Sequence, residues 1–127
     1  MNKKENIIKF FKFALVGFSN SLITYLVFLL TFKVFGIFYM LASAIGYLTA
    51  VFNSYFWNLR WTFKSTHSVN VFGKFVIVNV VSLFVNLLIM RILVEVMLID
   101  ELISQIFAII GALIINFSGN NFWTFKQ

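Results

Sequence analysis

Cysteine and proline are both missing from this chain of 127 residues. Without cysteine there are no disulfides and no thiolate ligands for a metal. The single histidine, His67, has no metal-ligating neighbours in the sequence, so neither a metal nor a cofactor is expected. Without proline, no helix is kinked by a missing amide hydrogen bond. Acids are scarce too, four against ten bases, and none lies in the middle of an apolar run. Glu5 precedes the first run, while Glu95, Asp100 and Glu101 sit at the far rim. That distribution removes the buried carboxylate on which a proton-coupled pump relies. It also removes the paired carboxylates, and the nucleophile with its histidine base, of a hydrolase or inverting transferase. No catalytic residue is expected, and the chain reads as a non-enzyme.

Apolar residues, by contrast, make up 61% of the chain and charged ones only 11%. A soluble domain is about a quarter charged, so these charges are too few to coat one, and the solvent is lipid. The net charge of +6 would suit nucleic acid, but such a binder needs a basic face on a water-soluble scaffold. Here the bases stand at the ends of apolar runs, which points to membrane lipids with anionic headgroups and away from nucleic acid.

Four apolar runs follow one another: Phe13 to Phe32, about Phe38 to Trp57, from after Lys74 to Met90, and Leu102 to about Phe117. A helix crosses the hydrocarbon core with about 20 mostly apolar residues. The first two runs meet this easily. The third and fourth are short by strict count but adequate once interfacial residues are added. Past the third run, Arg91 and Glu95 are spaced for an ion pair one helical turn apart. The N-terminal lysines before an apolar stretch mimic a signal peptide. The stretch is too long for one and no small-residue cleavage site follows, so it reads as a retained first span.

The bases then orient the spans. With four spans, both termini and the central loop share one side, which holds Lys3, Lys4, Lys9, Lys12, Arg60, Lys64, Lys74 and Lys126. The other side holds Lys33 and Arg91. The expectation is a multi-pass protein of the cell membrane with cytoplasmic N- and C-termini.

The phrase "WTFK" occurs twice, and an offset of 62 carries Trp61 onto Trp123 and Lys12 onto Lys74. The same register carries Ala42, Gly46, Ala50, Ser54 and Asn58 onto Ser104, Ala108, Ala112, Asn116 and Asn120, and Asn20 and Thr24 onto Ser82 and Asn86. The predicted fold is therefore all-α: a single transmembrane domain over residues 1–127, with four helices arranged as two tandem two-helix repeats of the same orientation. Repeat 1 covers about 9–64 and repeat 2 about 71–126. Two spans per copy insert both copies the same way up, about an axis along the membrane normal. Small residues at every fourth position let helix backbones approach closely.

Polar side chains inside the spans need partners, because hydrocarbon offers none. Asn20 is eight residues past Lys12, about 12 Å deep at 1.5 Å per residue. Asn20, Thr24, Asn58, Ser82, Asn86, Asn116 and Asn120 are the candidates for a polar groove that takes a headgroup. The competing reading is interhelical glue, and for serine and threonine a bond to their own helix backbone. Arg60 stands between Trp57 and Trp61 in the sequence, at headgroup level. A guanidinium there grips phosphate with two parallel hydrogen bonds. Lys64, Lys12 and Lys74 add charge at the same level, either as phosphate contacts or as ordinary anchors.

The stretches "KFALVGFSNSLITYLVF", "FNSYFWNLRWTFKS" and "NFSGNNFWTFK" together resemble the GtrA-like family of small four-span bacterial membrane proteins, over nearly the whole chain. Gly17, Asn20 and Arg60 match motif positions of the first repeat, and Asn58 matches the asparagine before the arginine. The chain departs from the pattern at Leu59, where basic pairs are common. It departs again at Asn121 and Phe122, where the second repeat has no arginine. The resemblance implies translocation of a polyprenyl-phosphate-linked monosaccharide, such as an undecaprenyl-phosphate sugar, for cell-surface polysaccharide or teichoic-acid glycosylation. Membrane glycosyltransferases of the same pathway are the implied partners. The alternatives are a non-transporting scaffold for such a glycosyltransferase, or a small multidrug-type exporter, against which the missing intramembrane glutamate counts. Four helices make a thin wall around a lipid headgroup, so a homo-oligomer is expected.

Overall fold

The computed structural model describes residues 3–62 and 69–124. Four α-helices follow in order: α1 (Lys3–Leu29), α2 (Tyr39–Trp57), α3 (Val69–Arg91) and α4 (Glu101–Gly119). Each runs without a break into one π-helical segment: π1 (Leu30–Val34), π2 (Asn58–Thr62), π3 (Ile92–Val96) and π4 (Asn120–Thr124). No strand occurs among the described residues.

Three of the four continuous helices, Lys3–Val34, Val69–Val96 and Glu101–Thr124, are long and apolar enough to cross a membrane. The four-span fold holds, and only the ranking of the spans differs from the one the sequence suggests. The third and fourth spans are not short, because the π segments carry each helix on to the rim. The second, of equal extent to the fourth, is the less apolar one. Ser43, Thr49, Asn53, Ser54 and Asn58 interrupt it, and it is a plausible fourth span.

The offset of 62 holds at every described helix boundary but the first: α2 and α4 begin and end at equivalent residues, α1 and α3 end at the equivalent Leu29 and Arg91, and only their starts, Lys3 and Val69, differ. It holds in the turns as well. Phe35 N–H donates to Leu30 O at 3.2 Å and Ile37 N–H to Thr31 O at 3.0 Å; Met97 N–H donates to Ile92 O at 3.0 Å and Ile99 N–H to Leu93 O at 2.8 Å. These bonds satisfy the carbonyls left over at a helix end. The chain reverses through a left-handed residue, Gly36 at φ 67° and Leu98 at φ 57°. The next helix then starts at Phe38 or at Asp100, both extended. Only Asp100 is a side-chain cap, accepting from Leu102 N–H at 3.0 Å and Ile103 N–H at 3.4 Å.

Each hairpin packs tightly on itself, α1 on α2 and α3 on α4, and the two hairpins meet through the thinner seams α2/α3 and α1/α4. The small-residue stripe explains the tightness. A Cβ on Gly46 would fall 2.5 Å from the backbone oxygen of Thr24, closer than atoms approach. Aromatic rings close both seams near the base-rich end. Phe13 meets Phe117 at 4.5 Å and Tyr55 meets Phe75 at 4.6 Å; Phe10 meets Phe117 at 5.7 Å and Tyr55 meets Phe72 at 5.5 Å. Adding 62 to either α1 ring gives the α3 ring, and Tyr55 gives Phe117. A twofold rotation about the bundle axis makes this exchange, whereas a translation would not.

Candidate functional site

A polar column runs down the bundle between two apolar layers. Near the base-rich end, Phe13, Leu59 and Phe75 form one layer; near the turns, Phe28, Tyr39, Ala42, Met90 and Ala108 form the other. The column begins at Asn120, whose side-chain amide donates to Asn116 Oδ1. Asn116 Nδ2 donates to Asn79 Oδ1 at 3.2 Å and to the Tyr47 hydroxyl at 3.4 Å. Tyr47 in turn donates to Asn79 Oδ1 at 3.2 Å. Three helices, α2, α3 and α4, thus meet at one buried cluster. Asn79 also donates to the Phe75 carbonyl of its own helix at 2.9 Å. Deeper, Gln105 Nε2 donates to Asn86 Oδ1 at 3.0 Å, and Asn86 Nδ2 to Ser43 Oγ at 2.8 Å. At the turn end, the Tyr39 hydroxyl donates to Glu95.

Several buried acceptors have no partner among the described residues: Asn58 Oδ1, Asn120 Oδ1, Ser82 Oγ, Gln105 Oε1 and Thr124 Oγ1. Such groups carry a desolvation cost of about 1–3 kcal/mol each unless water or a ligand reaches them. Asn58 and Asn120 are equivalent by the offset, so the halves share this feature.

Beside the Tyr47–Asn79–Asn116 cluster lies a cavity of about 50 Å³, bordered by Gly17, Asn20, Thr24, Ala50, Ser54 and Ala112. That volume holds a water or two at ~30 Å³ each, not a sugar. A second, apolar groove of about 290 Å³ opens between α2 and α3, walled by Leu48, Phe52, Phe72, Val76, Val80 and Leu83. The two share Tyr47, Val51 and Asn79. The apolar groove therefore backs onto Tyr47 and Asn79, two side chains of the polar column.

The sequence candidates separate into three groups. Asn58, Ser82, Asn86, Asn116 and Asn120 all lie in the column. Thr24 is buried beside it, and Asn20 is half-buried at its edge, accepting from Asn53 Nδ2 at 2.7 Å. Hydroxyls outside the column follow the backbone-bonding expectation, as Ser21 does to the Gly17 carbonyl at 2.9 Å and Thr49 to the Ile45 carbonyl at 2.7 Å. Among the bases, Lys12 Nζ stands 5.3 Å from the Trp61 ring centre and Lys74 Nζ 5.6 Å from that of Trp123. Arg60 is exposed, with its guanidinium 5.3 Å from the Phe56 ring centre. Lys12 thus belongs with the Arg60 segment and Lys74 with the equivalent segment of the other half, where Phe122 replaces the arginine. Lys64 and His67 lie outside the described residues.

The structure also corrects one pairing. Glu95 turns to Tyr39 across the hairpin seam, and no Arg91–Glu95 ion pair forms. The cause is π3: its bonds join residues five apart, so side chains four apart no longer stack. Sequence reasoning missed Tyr47, Ser43 and Gln105. The signal for the last two was present, because Ser43 and Gln105 are themselves 62 apart. Tyr47 lies within an apolar run, where nothing in the spacing marks its hydroxyl.

Comparison with known proteins agrees with this architecture. The chain is 32% identical over 124 residues, 96% of its own length and 82% of the relative's, to an uncharacterized membrane protein, YngA, of Bacillus subtilis (strain 168). Residues 12–125 match the family described as GtrA/DPMS, transmembrane domain, and with nearly the whole chain inside that match, this protein belongs to the GtrA/DPMS transmembrane family, a multi-pass membrane domain of glycosylation-related sugar-lipid handling.

Proposed function

We propose that the chain moves the headgroup of a polyprenyl-phosphate-linked sugar across the cytoplasmic membrane, with both of its own termini in the cytoplasm and no covalent chemistry. The observation that carries this reading is the junction of an apolar groove with a polar column at Tyr47 and Asn79. A lipid-linked sugar has the same two-part character. Its hydrocarbon chain lies in the α2/α3 groove, in continuity with the bilayer, while its headgroup exchanges water for the amides and hydroxyls of the column. The α1/α4 seam offers a poorer entrance. There Leu113 presses against Gly17, and the Tyr25 hydroxyl bonds the Leu102 carbonyl at 3.1 Å.

Arg60, at the base-rich end, collects the phosphate by charge-assisted hydrogen bonds. Passage of an anion through hydrocarbon requires a polar escort, and the unpartnered column groups supply it. The present cavity is too small for a sugar, so transport requires the two hairpins to part along their thinner seams. The hairpins themselves, the first locked at Gly46, move as units. The concentration gradient of the lipid-linked sugar drives the movement.

The test is reconstitution of the purified chain in liposomes holding a fluorescent short-chain polyprenyl-phosphate sugar, with a membrane-impermeant quencher outside. Transport makes the inner-leaflet fraction accessible, and Tyr47→Phe slows it while the protein still folds. If protein-containing and empty liposomes quench alike, the flippase reading fails. The scaffold reading then stands if a membrane glycosyltransferase of the pathway co-purifies with the chain.

A further inference from the structure

We infer that the outer face of the first hairpin is the contact between two copies of this chain, related by a twofold axis along the membrane normal and joined through Asn20 and Asn53. This inference is independent of what the column carries. Asn53 Nδ2 donates to Asn20 Oδ1 at 2.7 Å and reaches Ser19 Oγ at 3.4 Å; Asn20 borders the cavity at its edge, while Ser19, Thr49 and Asn53 lie outside its lining. Ser19 and Thr49 are exposed, and so is the neighbouring Phe52, at 81%. Ser19 is seven residues inside Lys12 and Asn53 seven inside Arg60. Both are therefore about 10 Å deep in a hydrocarbon core about 30 Å thick. Amides at that depth do not face lipid alone without cost.

The second hairpin shows that the polar face is no requirement of the hairpin fold. The equivalents of Ser19, Thr49 and Asn53 are Val81, Gly111 and Ile115, with Asn20 alone keeping a polar equivalent in Ser82, and that hairpin packs closely too. The polar set on the first hairpin therefore answers to something outside the chain. Its remaining hydrogen-bonding capacity points to what that is. The Asn20 amide donors and the Asn53 carbonyl oxygen have no partner among the described residues. A twofold axis places the donors of one copy against the acceptor of the other, twice. Such a surface is self-complementary, as an isologous contact must be. The exposed Leu15, Leu22, Phe52 and Phe56 flank it and pack around the bonds.

The chain has no cysteine, so single-cysteine variants report the contact directly. Purified Ser19→Cys and Thr49→Cys proteins, alone in liposomes and oxidised with copper-phenanthroline, are expected to give a disulfide-linked dimer. Val81→Cys, at the matching place on the second hairpin, is expected to remain monomeric. Adding Asn53→Leu to Ser19→Cys should lower dimerisation about tenfold, as loss of reciprocal interhelical hydrogen bonds would. Equal yields at Ser19 and Val81 mean random collision and overturn the proposal. Absence of dimer at both Ser19 and Thr49 also overturns it. So does capture of a different protein by Ser19→Cys in native membranes when the purified chain stays monomeric.

Discussion

Leu98 holds at φ 57° the turn position that Gly36 holds at φ 67° in the other hairpin. The left-handed conformation costs a residue with a Cβ about 1–2 kcal/mol, and glycine escapes that cost. Glycine loses more freedom on folding, which returns about 0.5–1 kcal/mol. Leu98 is 83% exposed and packs against little of its own chain. Leu98→Gly should therefore stabilise the protein by about 0.5–1 kcal/mol, and Gly36→Ala should cost a similar amount. Melting of the purified variants in one detergent checks both signs. A lower melting temperature for Leu98→Gly would mean that the leucine is held by headgroups or a neighbour more firmly than by its backbone.

The second prediction concerns the α1/α2 seam. The atom that a Cβ at Gly46 would strike is the Thr24 carbonyl oxygen, at 2.5 Å. Backbone cannot rotate aside, so α1 and α2 must separate. Overpacking of this kind costs about 1–3 kcal/mol. Ala108, at the equivalent place, is fully buried and already tolerates a methyl group. Gly46→Ala should therefore lower the melting temperature more than Ala108→Gly does. If the two are equal, the seam is looser than its geometry states.

The duplication was legible from the letters alone because it is a matter of register. Trp61 and Trp123, with Lys12 and Lys74, fix the offset, and every π segment, every left-handed turn and every described helix boundary but the starts of α1 and α3 then follows it. Partners were less legible. Which side chain Glu95 meets depends on the rotation added by a π segment, and no local spacing carries that. Tyr47 sits in an apolar run, and hydropathy averages its hydroxyl away. That hydroxyl completes the three-helix cluster. The second run, about Phe38 to Trp57, meets the length rule for a span. Its polar residues prove to be the wall of the column, Ser43 and Ser54, and the outer face, Thr49 and Asn53.

A third prediction follows from the placement of the bases. Single cysteines at Ser68 and Phe38 should react with impermeant maleimide from opposite sides of the membrane, with Phe38 reactive in intact cells and Ser68 only after lysis. The reason is the excess of Lys and Arg at the end that carries the termini. Reaction at Ser68 in intact cells would invert the orientation and place Arg60 outside, which removes it from any lipid carrier loaded in the cytoplasm.

Arg60 is a charge of the first half that the second half lacks at the base-rich end. Its equivalent is Phe122, while the lysine-over-tryptophan pairs Lys12–Trp61 and Lys74–Trp123 are shared. Anchoring to headgroups is thus served twice over without Arg60, and its guanidinium, resting on Phe56, has no carboxylate partner among the described residues. If it grips the phosphate of the lipid carrier, its loss removes one charge-assisted contact, worth roughly 1.5–3 kcal/mol when fully formed. Exposure at headgroup level puts the effect at the lower end, about tenfold in binding. Arg60→Lys keeps the charge but not the planar fork and should be impaired. Arg60→Ala should be impaired further, and Arg91→Ala at the opposite rim much less. Binding of a polyprenyl-phosphate sugar to purified variants of matched folding measures this, and Phe122→Arg adds a gain-of-function arm by giving the second half the same grip. Full binding by Arg60→Ala would make Arg60 a third anchor and leave the phosphate to Lys12, Lys74 and the column amides.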